Sequence, residues 1–334
     1  MALTNHRFLL AGRPVGMPKS SDWTFTEEQV REPKEGELLV KLLYISLDPA
    51  MRMWVNESRS YLPPVGIGEV MRALGLGIVT ASRNPNFAVG DHVSGPFGVQ
   101  EYAMTDGRAA RKVDSRIAAL PKHLSVLGMR GMTAYFGLLD TGQPKPGETV
   151  VVSAAAGAVG SIVGQIAKIK DCRVVGIAGG AEKCHYISHE LGFDAAIDYK
   201  SENVKQSLRK HCPEGIDIYF DNVGGTILEA ALAQIKLHAR VVICGAISQY
   251  CNTGPTTGPG NYLSLLTNRA TMTGMLVLDY VERYAHAGAE MANWMAAGRL
   301  KSREDIVEGL ETFPETLLKL FKGENTGKLI LKVG

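Results

Sequence analysis

The chain has no Cys-x-x-Cys pair, no dense Lys/Arg cluster, no apolar run of membrane-spanning length, no low-complexity stretch and no internal repeat. Each absence removes a class of function. The five cysteines (Cys172, Cys184, Cys212, Cys244 and Cys251) are odd in number and scattered, as expected of reduced thiols rather than a disulfide framework. A net charge of +2 without a basic stripe speaks against nucleic acid as a partner, because phosphate backbones are bound by clustered cations. The opening run "MALTNHRFLLAGRPVG" lacks the apolar core of a signal peptide. With no spanning segment either, a soluble cytoplasmic protein without a membrane partner is expected. What remains is a composition of ordinary globular type, 45% hydrophobic and 21% charged. Its 334 residues suffice for about two domains, each with its own core.

The texture of the chain changes near Leu124. Before it, short apolar runs such as "GELLVKLLYISLD" and "EYAMTD" are broken by Gly, Pro and Asp, and "FAVGDHVSGPFGVQEYA" reads as strand, turn and strand. After it, "LSVLGMRGMTAYFGLLDTG" has helical spacing and ends at Gly142 before Pro144 and Pro146. Alternating units follow: strand "ETVVVSAA", helix "AVGSIVGQIAKIK", strand "CRVVGIAG", helix "AEKCHYISHELG". The runs "DAAIDY", "GIDIYFDNV", "ARVVICGAI" and "ATMTGMLVL" continue as apolar strands. Strands that are apolar throughout and alternate with helices predict an α/β domain, a parallel sheet covered on both faces. The tail "ENTGKLILKVG" returns to strand character and is expected to rejoin the first domain.

Between the first strand and helix of that alternating region lies "SAAAGAVGS", residues 153–161. It is a Gly-x-Gly-x-x-Gly fingerprint whose first glycine is missing: Ala155, Gly157, Gly160. The strand before and the helix after supply the context the motif requires. Gly157 would let the backbone approach a pyrophosphate, Gly160 would let the helix lie against the strand, and the helix N-terminus would offer N–H groups to the phosphates. The competing reading is close helix packing without a ligand. The repeating strand–helix units downstream favour the dinucleotide.

The next strand decides which dinucleotide. An NAD site places Asp or Glu about 20 residues beyond the glycines to bind the ribose 2′-hydroxyl. Here the strand ends "GIAGGAEK", with Ala178, Gly179 and Gly180 where the acid belongs and Lys183 close by. A 2′-phosphate is repelled by an acid and held by a cation, so NADP(H) is expected. Glu182 complicates this, since it could bind a ribose, although acids are common in a helix's first turn.

The ordered motifs "YISLDPAMR", "GMTAYFGL", "AAAGAVGS", "FDNVGG", "CGAISQYCN" and "GENTGK" resemble the zinc-lacking medium-chain dehydrogenase/reductases. Among these the chain is most similar to the prostaglandin/leukotriene, plant alkenal and bacterial curcumin-type double-bond reductases. The resemblance covers nearly the whole chain. It implies a GroES-like β-rich catalytic domain over 1–125, a Rossmann doubly wound parallel-sheet NADP-binding domain over 126–298, and a return to the catalytic domain over 299–334. It also implies a homodimer formed through the Rossmann sheets, and NADPH-dependent reduction of a carbon–carbon double bond conjugated to a carbonyl.

By the same resemblance, Gly157, Ala158, Val159 and Gly160 match the pyrophosphate loop, and Gly180, Lys183 and Tyr199 match the 2′-phosphate group. Asn222, the run Cys244, Gly245, Ala246, Ile247, Ser248, Gln249 and Tyr250, and Met275, Leu276 and Val277 match the segments lining the nicotinamide half. Pro49, Thr133 and Asn325 match residues that close over the cofactor. Tyr250 is expected to orient the substrate carbonyl or the cofactor ribose. Two departures bear on substrate shape: Ala50 in "DPAMR" stands where many members carry tyrosine, and the plant enzymes carry another tyrosine near Leu76. Tyr61 in "RSYLPPVGIGEV" matches the curcumin-reductase type and is expected to line the pocket in compensation, within the variable loops 56–64 and 253–262.

No metal is expected. Zinc-dependent relatives need Cys or His near "YISLD", a His-Glu pair near "LGLG" and a cluster of four cysteines, and none is present. His185 and His189, four residues apart, could share a helix face but lack a third ligand. Without metal, hydride must go to an electrophile activated by conjugation, the β-carbon of an enone or enal. The enolate oxygen then needs a hydrogen-bond donor and the α-carbon a proton, which solvent could supply. A quinone reductase, an allylic-alcohol dehydrogenase and a cofactor-binding protein without turnover remain the alternatives.

Overall fold

The computed structural model describes residues 3–256 and 258–334. Strands β1 (Thr4–Leu10), β2 (Trp23–Gln29) and β3 (Leu38–Ser46) lead to the single-turn helix α1 (Met51–Trp54). Strands β4 (Gly75–Ser82), β5 (His92–Gly95), β6 (Tyr102–Thr105) and β7 (Arg111–Lys112) follow. Helix α2 (Met129–Phe136) opens the alternating region: β8 (Thr149–Ser153), α3 (Gly160–Ile169), β9 (Arg173–Ala178), α4 (Ala181–His185), β10 (Ala195–Asp198) and α5 (Val204–His211). It continues with β11 (Ile216–Asp221), α6 (Gly225–Leu232), β12 (Ile235–Ile243), α7 (Leu263–Thr267), β13 (Thr271–Gly274) and α8 (Tyr284–Ala296). The chain finishes with β14 (Glu304–Glu308), α9 (Phe313–Lys322) and β15 (Lys328–Lys332).

Two compact units result. The first comprises the residues up to Leu124 together with Glu304–Gly334; the second is Ser125–Arg303. The second therefore runs five residues past the boundary expected at 298. The reason is local: the Lys301 N–H donates to Oε1 of Gln165 on α3 at 2.8 Å, and the Gln165 amide donates back to the Lys301 carbonyl at 2.9 Å.

The first unit is built on a β1–β2 hairpin and a seven-stranded sheet in the order β14-β15-β3-β4-β5-β7, with β6 also on β3. The tail does rejoin it, since β15 pairs antiparallel with β3. The inward residues of β3 (Leu38, Val40, Leu42) pack with Phe313 and Leu317 of α9, and the Trp23 ring meets Phe313 edge-on at 5.2 Å.

The second unit holds a six-stranded sheet, β10-β9-β8-β11-β12-β13, with every pairing parallel. Counted from its own first strand, this is the 3-2-1-4-5-6 order of a dinucleotide-binding fold. All five β8 residues are buried, as a central parallel strand requires. Two local readings of sequence differ from what forms. The helix expected to begin at Leu124 begins at Met129, because residues 125–128 turn back so that Ser125 accepts from the Gly131 N–H. It then widens over Gly137–Gly142 and stops at Gln143 in the left-handed region (φ 49°). In "ATMTGMLVL" the strand ends at Gly274. Among the described residues no helix is long and apolar enough to cross a membrane.

Candidate functional site

In a doubly wound sheet the crevice opens where strand order reverses, here between the C-terminal ends of β8 and β11. The loop after β8 is the glycine motif. Its left-handed residue is Ala154 (φ 48°) rather than Ala155. Ala155 is fully buried, and its methyl lies where a Cβ on Gly176 of β9 would come within 2.9 Å. The missing first glycine is thus accommodated by a glycine on the neighbouring strand. Gly160 cannot vary in the same way, because a Cβ there would stand 2.4 Å from the Ala154 carbonyl oxygen. At Gly157 the same oxygen would be 3.1 Å away. Helix α3 starts with no side-chain cap. The N–H groups of Ala158, Val159 and Gly160 meet no main-chain acceptor among the described residues. This is a backbone cradle with a helix dipole behind it, the arrangement that binds phosphate.

Opposite it, the β11 end is organised by Asp221, a residue the sequence reading passed over. Its buried carboxylate accepts from Ser153 Oγ (2.9 Å), Tyr219 OH (2.9 Å), and the N–H groups of Val223 and Gly224 (both 3.0 Å). Burial first, and then this carboxylate, push the Tyr219 phenol well above its ordinary range, so it remains a donor. Asn222 is clamped to β8: its N–H donates to Ser153 Oγ and its amide to the Ser153 carbonyl, both at 2.8 Å. In sequence Asp221 closes the apolar strand "IYFD" and opens the turn of the motif "FDNVGG", where Asn222 drew the assignment instead.

The run from Cys244 to Tyr250 folds over the same turn. Cys244 and Gly245 donate to the Asp221 carbonyl, Ile247 to that of Asn222, and Ser248 to that of Val223 through both its N–H and its Oγ. The Tyr250 hydroxyl accepts from the Ala246 N–H at 3.0 Å, which closes the loop on itself. Gln249 donates to Ser248 Oγ. Desolvation pushes the Cys244 thiol up to about 12, so it is a neutral group rather than a nucleophile. Met275 donates to the Ile243 carbonyl, which carries Met275, Leu276 and buried Val277 to the end of β12.

On the other flank, Gly180 (φ 96°) precedes α4 and donates its N–H to Asp198 Oδ1 at 2.7 Å. The Tyr199 ring lies on Gly179, where a Cβ would be 2.8 Å from Cε1. Lys183 stands in the first turn of α4. The structure therefore gathers Gly180, Lys183 and Tyr199 at the ends of β9 and β10, and Gly157–Gly160, Asn222, the Cys244–Tyr250 run and Met275–Val277 around the ends of β8, β11 and β12. Thr133 lies on α2 and donates its hydroxyl to the Met129 carbonyl at 2.7 Å.

Pro49, Tyr61 and Asn325 are carried by the first unit, so the second unit alone does not assemble them. Within the first unit, Lys328 Nζ donates to the Leu47 carbonyl and to Asp48 Oδ1 (2.8 Å), and Ser46 Oγ donates to Asp48 Oδ2 (2.6 Å). Both charged side chains are 2% exposed. This buried pair ties the turn bearing Pro49 to the segment bearing Asn325, whose amide donates to the Gly327 carbonyl. Neither member of the pair was picked out from sequence. Tyr61 is exposed, and its hydroxyl accepts from Trp54 Nε1 at 3.2 Å. Thr257, within the loop 253–262, lies outside the described residues.

Among the described residues no group of three or more His, Cys, Asp or Glu is placed to hold a metal ion. His185 and His189 do meet, with stacked rings 4.1 Å apart on an exposed surface.

Two family models match the chain: an N-terminal domain of oxidoreductase over residues 6–113 and a zinc-binding dehydrogenase over residues 158–294. The chain is 42% identical to the NADPH-dependent curcumin reductase of Escherichia coli (strain K12), over 98% of this chain and 97% of that protein. It is 40% identical to the 2-alkenal reductase (NADP(+)-dependent) of Nicotiana tabacum, over 99% and 98%. It is 39% identical to prostaglandin reductase 1 of Bos taurus, over 95% and 96%. The crystal structure of CurA from Vibrio vulnificus in complex with NADPH superimposes with a TM-score of 0.94 at 43% identity, covering 98% of this chain and 99% of that one.

Proposed function

Because the chain belongs to the zinc-independent medium-chain dehydrogenase/reductase family, that of the curcumin, 2-alkenal and prostaglandin reductases, we propose that it reduces the carbon–carbon double bond of α,β-unsaturated ketones and aldehydes with NADPH. The observation that carries the reading is the Gly157–Gly160 cradle at the strand-order switch, with its uncapped helix and N–H groups that meet no main-chain acceptor among the described residues. It fits a dinucleotide pyrophosphate, held by Gly157, Ala158, Val159 and Gly160. Lys183, with Gly180 and Tyr199 beside it, takes the 2′-phosphate, which the missing acid at the end of β9 leaves room for.

Asn222, the Cys244–Tyr250 run and Met275, Leu276 and Val277 line the nicotinamide half. We assign Pro49, Thr133 and Asn325 to the same cofactor on family resemblance. When bound, NADPH supplies hydride for the substrate β-carbon. The chain's own part is to bind, orient and keep competing chemistry out. Tyr250, its hydroxyl fixed by the Ala246 N–H, orients the substrate carbonyl or the cofactor ribose. Tyr61 lines the substrate side. The α-carbon proton comes from solvent.

We also assign the chain to the cytoplasm and to a homodimer paired through the Rossmann sheets. The dimer is supported by β13, the outer strand of its sheet, and by the exposed Leu263 and Leu266 of α7 just before it.

The test is NADPH oxidation, followed by absorbance, against a panel of enones, enals and quinones, with product analysis. Saturated ketones or aldehydes are expected. Quinols or allylic alcohols as the main products would replace the reading with one of its rivals, and no turnover of any panel member despite tight NADPH binding would end it.

A further inference from the structure

Glu182 is the one feature of the 2′-phosphate region that argues for the wrong cofactor. It adjoins Lys183 in the first turn of α4. An acid there repels a 2′-phosphate, which carries about −1.5 to −2 charges at neutral pH, and can accept from the 2′-hydroxyl of an unphosphorylated ribose. The other nearby acid is already absorbed. Asp198 accepts from the N–H groups of Gly180 and Lys200 through Oδ1 and from Ser201 Oγ through Oδ2.

Glu182 has a different partner. Arg303, the last residue of the second unit, places Nη2 3.8 Å from Glu182 Oε1 and its guanidinium 5.4 Å over the Tyr186 ring, one turn further along. The segment that delivers it is fixed. Buried Gln165 of α3 exchanges two hydrogen bonds with the Lys301 backbone, and Lys301 Nζ donates to the Glu190 carbonyl at 3.2 Å. Arg303 is thus held beside α4 by the same helix whose N-terminus forms the phosphate cradle.

We propose that Arg303 is a specificity-determining residue: it pairs with Glu182, so that the acid repels a 2′-phosphorylated ribose less and the preference over a plain ribose is raised. The inference rests on the NADP(H) reading and adds to it a residue far from the fingerprint in sequence. Arg303 acts through Glu182, as a positioning residue. At 3.8 Å, with the Glu182 side chain 83% exposed, its guanidinium offsets part of the charge that would repel a 2′-phosphate.

The test is calorimetric binding of adenosine 2′,5′-bisphosphate and of AMP, so it does not depend on turnover. Four proteins are compared: wild type, Arg303→Met, Arg303→Lys, and Arg303→Met combined with Glu182→Gln, with melting temperatures recorded for each. Arg303→Met is expected to weaken the bisphosphate by about three- to tenfold at low salt while AMP changes by less than about twofold, the range for one exposed charge acting over several ångströms. Arg303→Lys should keep the preference, and Glu182→Gln should restore it in the Met background. An unchanged ratio in Arg303→Met, equal losses for both ligands, or no recovery with Glu182→Gln overturns the inference. A wild-type chain that binds the two ligands equally overturns the NADP(H) reading, and this inference with it.

Discussion

Adding one methyl group at Gly160 tests the cradle directly. A Cβ there lies 2.4 Å from the Ala154 carbonyl oxygen and 3.0 Å from the Ala155 Cα, and real Cβ contacts essentially never fall below 3.0 Å. Both neighbours are backbone, so no side chain can swing aside. The first turn of α3 must therefore retreat by roughly 0.6 Å or more, at the overpacking cost of about 1–3 kcal/mol. The displaced turn carries the N–H groups of Ala158, Val159 and Gly160. If that cost falls on the bound geometry, Gly160→Ala weakens NADPH by about ten- to a hundredfold. Gly157→Ala, at 3.1 Å from the same oxygen, needs only a few tenths of an ångström and should weaken it by no more than about fivefold. Ala155→Gly, which rebuilds the full fingerprint, removes a buried methyl from its place against Gly176. It should cost about 1 kcal/mol of stability and leave affinity unchanged. Fluorescence titration with NADPH, run beside thermal melts, reads all three. Wild-type affinity in Gly160→Ala, or an equal loss in Ala155→Gly, would refute the account of the loop.

Three further outcomes are expected. Lys328→Met removes the cation from beside the buried Asp48 carboxylate and should destabilise the first unit by about 3–5 kcal/mol, with Asp48→Asn in the same background recovering much of it; urea melts within about 1 kcal/mol of wild type would contradict this. If the proposed homodimer pairs through α7, Leu263→Glu with Leu266→Glu should convert it to monomer on a sizing column with light scattering; a wild-type chain that is already monomeric, or a dimer that persists unchanged, would exclude that face. Burial pushes the Cys172 and Cys212 thiols from 9.0 to about 11. Unfolded thiols thus lose their protons first, so their contribution is intact below pH 9 and is lost as pH rises from 9 towards 11. The Cys212→Ala variant should lose stability less steeply over that interval in urea midpoints, and parallel curves would show the thiol contributes nothing.

What the sequence made legible was local or periodic. Alternating apolar strands and helices gave the parallel sheet, and the spacing of Gly157 and Gly160 marked the cradle, because both signals sit within a few residues of each other. The residues that escaped notice act over distance. Gly176 makes room for Ala155 from the next strand, Arg303 reaches Glu182 from more than a hundred residues away, and Lys328 reaches Asp48 from the other end of the chain. Nothing in a window of sequence records such partners. Asp221 was overlooked for another reason: an acid at a strand end is ordinarily a turn residue, and only the fold reveals the four groups converging on it. At the helix before β8, apolar spacing outran the structure because Leu124, Val126 and Leu127 are buried in a turn and satisfy the same pattern.

The pairing of β15 with β3 has a consequence for biosynthesis. Asp48 and Lys328 are 280 residues apart. At about 5–20 residues per second, the carboxylate waits roughly 15–55 s after its own synthesis before its cation exists. Throughout that interval the part of β3 that β15 will cover is open, and by its end every strand and helix of the second unit has left the polymerising centre. The nascent chain can thus complete its dinucleotide-binding half first and must keep its N-terminal half from pairing wrongly until the final strand arrives. Mutations that slow closure of the first sheet should therefore show themselves as losses of soluble yield before they show as losses of activity.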